Sequence, residues 1–149
     1  MVPLDKPEDD SRVAGAKRRQ LIIACGALAR EVLAILAADR LDHVELRCLP
    51  ALLHNRPERI PEAVRSAIRE ARTEQRFSDI LVGYADCGTG GLLDRVLEKH
   101  GVERVAGPHC FAFYQTMNVF DAVGEGDMMS FYMTDFLCRQ FDAFFMKPL

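Results

Sequence analysis

The sequence lacks any apolar run approaching the ~20 residues that a membrane-spanning helix needs. Its opening stretch, Met1 to Arg19, is charged rather than apolar, so neither a span nor a secretion signal is read there. A basic excess is also missing. The 19 Lys and Arg are outnumbered by 22 Asp and Glu, the formal charge is -3, and no cationic face stands out in the linear sequence, which argues against nucleic acid as a partner. There is no Gly-x-Gly-x-x-Gly order, no Gly-Lys-Ser/Thr phosphate loop and no serine nucleophile elbow, and these absences exclude the common nucleotide enzymes and the Ser-His-Asp hydrolases. Local Cys-x-x-Cys pairs, internal repeats and low-complexity tracts are absent too. What remains is a small-molecule, metal or protein partner and a cytoplasmic setting.

At 149 residues the chain can bury roughly 70% of the surface its unfolded form exposes, enough for one self-sufficient domain. Residues 1–20 are polar, carry Pro3 and Pro7, and read as a flexible leader. Residues 21–149 read as a single α/β domain. Leu21 to Ala24 is a first strand, and Gly26 to Leu41 a helix with Leu28, Val32, Leu33, Leu36 and Ala37 at helical spacing. Val44 to Leu49 alternates as a second strand with Val44, Leu46 and Cys48 on one face. A helix over Glu58 to Glu74 has Ile60, Val64, Ala67, Ile68 and Ala71 as its buried stripe and Pro61 in its first turn.

Asp79 to Val82 is a third strand that runs into the turn Gly83-Tyr84-Ala85-Asp86-Cys87-Gly88-Thr89-Gly90-Gly91, followed by a helix closed at His100-Gly101. Arg104 to Ala106 is a short fourth strand. Phe111 to Val123 reads as a helix, Met128 to Met133 as a fifth strand, and Asp135 to Phe145 as a last helix capped by Thr134 or Asp135. The alternation predicts a three-layer αβα sandwich around a mainly parallel, roughly five-stranded sheet. Tyr114, Phe111, Phe113, Phe120 and the methionines of the final third suit core or a homo-oligomer face.

The five cysteines are an odd number, and in a chain without a secretion signal they read as thiols or ligands. Cys25, Cys87 and Cys110 each follow a strand, and in a parallel sheet that puts them on the carboxyl rim where ligands bind. Three thiolates there could hold zinc with one open position or a [4Fe-4S] cluster with one free iron. The same three residues also fit small buried positions in turns. Cys48 and Cys138 read as core. His109 is a candidate ligand or proton donor. His54 and Arg56 lie in a loop on the same rim, where Arg56 could clamp an anion. Asp86 is a candidate base, although an aspartate in a turn more often bonds its own backbone. Gly88, Gly90 and Gly91 could cradle an anion at the start of the following helix. Cys87 alone, at that helix start, could serve as a metal-free nucleophile.

At Cys25, Leu53-His54-Asn55-Arg56-Pro57, Gly83-Tyr84-Ala85-Asp86-Cys87-Gly88 and His109-Cys110 the chain resembles the family filed as domain of unknown function 1638. The four motifs arrive in order, and the resemblance runs from about Leu21 to the end. Members of that family are often encoded beside corrinoid-dependent methyltransferases of methylamine and betaine breakdown. The resemblance therefore implies one-carbon metabolism, with a corrinoid supplied by a partner, and a metal site on Cys25, Cys87 and Cys110 with His54, Arg56, Asp86 and His109 around a substrate. A non-catalytic accessory module for a corrinoid protein or methyltransferase is the alternative. Two departures stand out: His109 and Cys110 are adjacent where the family's pair is usually spaced, and the chain stops at Leu149 where family members continue. Part of the site is accordingly expected to be missing.

Overall fold

The computed structural model describes residues 19–114 and 133–142 together with positions 118, 119, 122 and 146. Its sheet has four parallel strands in the order β2-β1-β3-β4: β1 (Arg19–Cys25), β2 (Val44–Leu49), β3 (Phe77–Gly83) and β4 (Glu103–Arg104). The expected α/β class holds, with four strands among the described residues in place of about five. Of the expected fifth strand, residues 128–132 lie outside the described residues and Met133 is in no strand. The leader's residues 1–18 lie outside as well. Of the helix expected over Phe111 to Val123, the described part opens with a tight 3-10 turn, Cys110–Tyr114.

Three helices make the crossovers, α1 (Ala29–Ala38), α2 (Ile60–Thr73) and α3 (Leu92–His100), and a short α4 (Asp135–Arg139) follows. The stripe read from the sequence of α2 is the observed one: Ile60, Val64, Ala67, Ile68 and Ala71 are all buried. Gly91 at the start of α3 and Gly101 at its end adopt left-handed φ of 77° and 56°. A side chain would strain both positions, so glycine there sets where the helix begins and stops. Thr134 caps α4 through its hydroxyl, which accepts from the Leu137 amide at 3.3 Å.

Residues paired across parallel strands share a face, so the register sorts the sheet into two sides. Leu21, Ile23 and Cys25 share one side with Val82 and form the core with α2 and α3. The other side carries Ile22, Ala24, Leu46, Cys48 and Leu81, because Ile22 pairs with Leu46 and Leu81, and Ala24 with Cys48. Only α1 makes a crossover on that side, and α1 contains no buried residue. This corrects the reading of Cys48 as core: it sits on an edge strand under thin cover and is exposed. Cys138 is exposed too, on a helix too short to bury a full stripe.

Candidate metal centre

The strand order places β1 and β3 side by side while their crossovers depart in opposite directions along the sheet. The crevice between their carboxyl ends is a topological switch point, where open parallel sheets bind ligands. Cys25 is the last residue of β1, and Tyr84 to Cys87 follow directly on β3. The other residues of the site are brought there by backbone bonds. Asp86 N–H donates to the Gly107 carbonyl and Cys87 N–H to the Pro108 carbonyl, each at 3.0 Å, which lays the segment before Cys110 along the Cys87 turn. The 3-10 turn Ala51–Asn55, after β2, carries His54 over the same point, and Pro57 closes on the turn, lying about 3.4 Å from where a Gly88 side chain would start.

One ligand atom each from His54, Cys87 and Cys110 lies within 4.8 Å of the other two. The imidazole of His54 spans two sulfurs: Nδ1 is 3.4 Å from Cys25 Sγ and Nε2 is 3.7 Å from Cys110 Sγ. Cys25 is itself held in place, since its sulfur accepts the Ala27 N–H at 3.4 Å. His109 Nδ1 stands 3.8 Å from Cys110 Sγ, and its ring centroid is 6.0 Å from that of His54. Underneath, the Tyr84 ring is stacked on His54 with centroids 6.3 Å apart. Tyr84 is fully buried, and its hydroxyl makes no hydrogen bond among the described residues. A buried hydroxyl without a partner carries a cost that native structures rarely leave standing away from a functional site.

The electrostatics follow from this crowding of sulfur around one imidazole. The thiols of Cys25 and Cys87 hold the His54 pKa up to about 10 against the effect of burial. Cys87 is held well below the usual thiol range, first by the Cys110 thiol and then by His54. Cys110 is pushed up, because it donates toward Cys87 and is buried. Burial, and then the nearby sulfurs of Cys25, Cys87 and Cys110, raise Tyr84. Burial lowers His109. Within this cluster Cys87 is the thiol most disposed to ionise, and His54 is disposed to hold its proton beside it. Cys87 also has a left-handed φ of 49°, a conformation that costs a non-glycine residue roughly 1–2 kcal/mol and is concentrated at functional sites.

The remaining candidates are placed differently. Both carboxylate oxygens of Asp86 are engaged by its own turn: Oδ1 accepts from Thr89 Oγ1 and the Gly91 N–H, each at 2.9 Å, and Oδ2 accepts from the Gly90 N–H at 3.2 Å. The amides of Gly90 and Gly91 thus already serve an internal anion, and Gly88 lies against Pro57. Arg56 is exposed between two 3-10 turns. The sequence placed His54 beside a three-cysteine site, whereas the structure puts His54 inside the tight cluster and Cys25 on the far side of its ring. Tyr84 escaped notice as a site residue. Its sequence signals were its position, the first residue after β3, and its place beside Cys87 in the Gly-Tyr-x-x-Cys-Gly motif.

A doubly wound α/β domain with a thiol and imidazole cluster at its switch point is the class that fold and site define. The chain belongs to the DUF1638 family of proteins of unknown function, which matches residues 48–149. His54, Cys87 and Cys110 fall within the matched region and Cys25 precedes it. No curated protein matches the chain.

Proposed function

We propose that the protein binds one zinc ion on His54 Nε2, Cys87 Sγ and Cys110 Sγ and presents a fourth, open position to a small substrate. The observation that carries this reading is the mutual closeness of the three ligand atoms, within 4.8 Å, with Cys110 to His54 at 3.7 Å. Two ligands on one tetrahedral zinc stand about 3.5–3.8 Å apart, given Zn–S near 2.3 Å and Zn–N near 2.0–2.1 Å. Sulfurs that hold separate irons of a four-iron cube stand farther apart, so the single ion is favoured over the cluster. Two cysteines, one histidine and an open position form a known catalytic donor set. Cys25 then orients the site, taking the Nδ1–H of His54 and aiming Nε2 at the ion. Tyr84 supports the imidazole from below and offers its hydroxyl to the pocket.

When bound, zinc would lower the pKa of a water or thiol at the open position. The setting implied by the resemblance to DUF1638 gives that chemistry a use: a substrate thiol, held as thiolate, accepts a methyl group from a methylated corrinoid on a partner protein. The sulfur lone pair forms the new S–C bond, and the Co–C electron pair stays on cobalt. His109 flanks Cys110 at the rim, where a leaving or entering proton would pass.

Metal analysis of anaerobically purified protein tests the site. Near-stoichiometric zinc is expected, and its uptake by metal-free protein should release protons from the ligands. His54→Ala, Cys87→Ser and Cys110→Ser should each abolish binding, and Cys25→Ser should weaken it roughly 10–100-fold. Protein without metal that takes up none on reconstitution would overturn the site; iron with sulfide would replace zinc by a cluster. Methylcobalamin demethylation in the presence of a thiol tests the transfer separately. A rate unaffected by Cys110→Ser would remove the methyl-transfer role and leave the metal.

The lowered pKa and left-handed backbone of Cys87 favour a second reading, a metal-free thiol enzyme. Fast alkylation of Cys87 by iodoacetamide at neutral pH in protein as purified, with no protection by added zinc, would select it.

A further inference from the structure

α2 and α3 lie side by side, and along their solvent side runs an open groove of about 570 Å³. Its apolar lining is Pro61, Val96 and Leu92, of which Pro61 and Val96 are buried and Leu92 is 44% exposed. Arg65, Arg69, Arg95 and Lys99 line it, and so do Glu58 and Glu62, which lie before and in the first turn of α2. Each helix places like charges one turn apart, Arg65 with Arg69 on α2 and Arg95 with Lys99 on α3, an arrangement that weakens a helix. Arg65 is relieved by Glu62 at 3.0 Å. Among the described residues Arg69, Arg95 and Lys99 have no ion-pair partner. His100 feels the surplus: burial first, and then Arg72, Arg69 and Arg65, hold its imidazole below the usual range. Attraction to the helix C-termini accounts for Lys99 and Arg72, but Arg65, Arg69 and Arg95 lie farther back along their helices.

We infer that this groove docks an acidic amphipathic helix of a partner protein, its apolar stripe on Leu92 and its carboxylates against Arg69, Arg95 and Lys99. Charge complementarity selects the occupant, and the apolar lining selects a helix over a bare anion. Each helix contributes only part of the charge, which is why the linear sequence shows no cationic face. The surface is independent of the cysteine centre.

The test is fluorescence anisotropy of a labelled helical peptide with a leucine stripe flanked by glutamates, against the full chain. Saturable binding that weakens as salt rises is expected. Arg69→Glu with Arg95→Glu should weaken it roughly tenfold or more. Arg30→Glu with Arg40→Glu, which changes net charge equally on and after α1, should leave it unchanged, as should Cys87→Ser. Leu92→Ser should weaken it as well. No saturable binding at low salt would overturn the proposal, and so would equal loss in the Arg30/Arg40 control. Loss in Cys87→Ser would put the peptide on the cysteine rim instead. Displacement by tripolyphosphate together with an unaffected Leu92→Ser variant would make the groove a phosphate site and likewise end the proposal.

Discussion

On the side of the sheet covered by α2 and α3, Leu21, Ile23 and Val82 are fully buried against Ile60, Val64 and Ile68. On the side covered by α1, Leu33, Ile35 and Leu81 remain 54%, 57% and 39% exposed. The reactive residues hang from the first side. Cys25 continues the row Leu21 and Ile23, and Cys25, Cys87, Cys110 and Tyr84 all belong to the main core cluster. The cluster of sulfur and nitrogen atoms is thus built on the well-packed layer, where rotamers are locked by neighbours.

The contrast between the two sides can be broken by mutation. Ile23→Ala or Ile68→Ala should cost about 2–5 kcal/mol in urea unfolding, because each leaves a cavity among fully buried neighbours. Metal affinity should fall with it if the packed layer positions the ligands. Next in size is Asp86→Ala, which removes three hydrogen bonds from the Cys87 turn. Net hydrogen-bond values, discounted for partial exposure, suggest a cost of about 1–2 kcal/mol.

The Asp86 effect also has a pH signature. Hydrogen bonds from Gly91, Thr89 and Gly90 lower its pKa in the folded protein. Its contribution is therefore complete above the unfolded-state value, near 3.9, and is lost as the pH falls through the lower folded value. Asp86→Asn should flatten the acid limb of the stability curve below about pH 4, and an unchanged limb would mean the turn does not depend on the carboxylate. The smallest effects belong to the α1 side: Leu33→Ala and Ile35→Ala should shift stability by no more than about 0.5 kcal/mol. A loss as large as that of Ile68→Ala would show that this side is sealed in solution.

Much of the fold was legible because periodicity carries it. The stripe of α2, the strand and turn at Val82 to Gly91, and the glycine stop at Gly101 are local signals, each with a local physical cause. The cover of a strand face is not local. Cys48 alternates as a core residue should, yet its burial depends on which helix lies above it and how far that helix reaches. The site was legible by type and blurred in its geometry: strand ends pointed to Cys25, Cys87 and Cys110 on one rim, but nothing in their spacing could say that a histidine from a different loop would stand among them. Asp86 showed the opposite pattern, since its turn chemistry was readable from Asp-x-x-Thr-Gly-Gly without any tertiary information.

The sequence by itself determined an α/β domain with parallel crossovers, a sulfur-rich carboxyl rim, a self-bonding turn around Asp86, and membership in DUF1638 over most of its length. Only the tertiary structure decided that His54 enters the cluster while Cys25 stands behind it, that Tyr84 buries an unpaired hydroxyl beneath them, and that cations from two helices share one groove. Local patterns fix φ/ψ and the direction of each side chain. Distances of 3 to 4 Å between residues about 30 and 56 positions apart depend instead on strand order, register and loop closure, which the whole chain sets together.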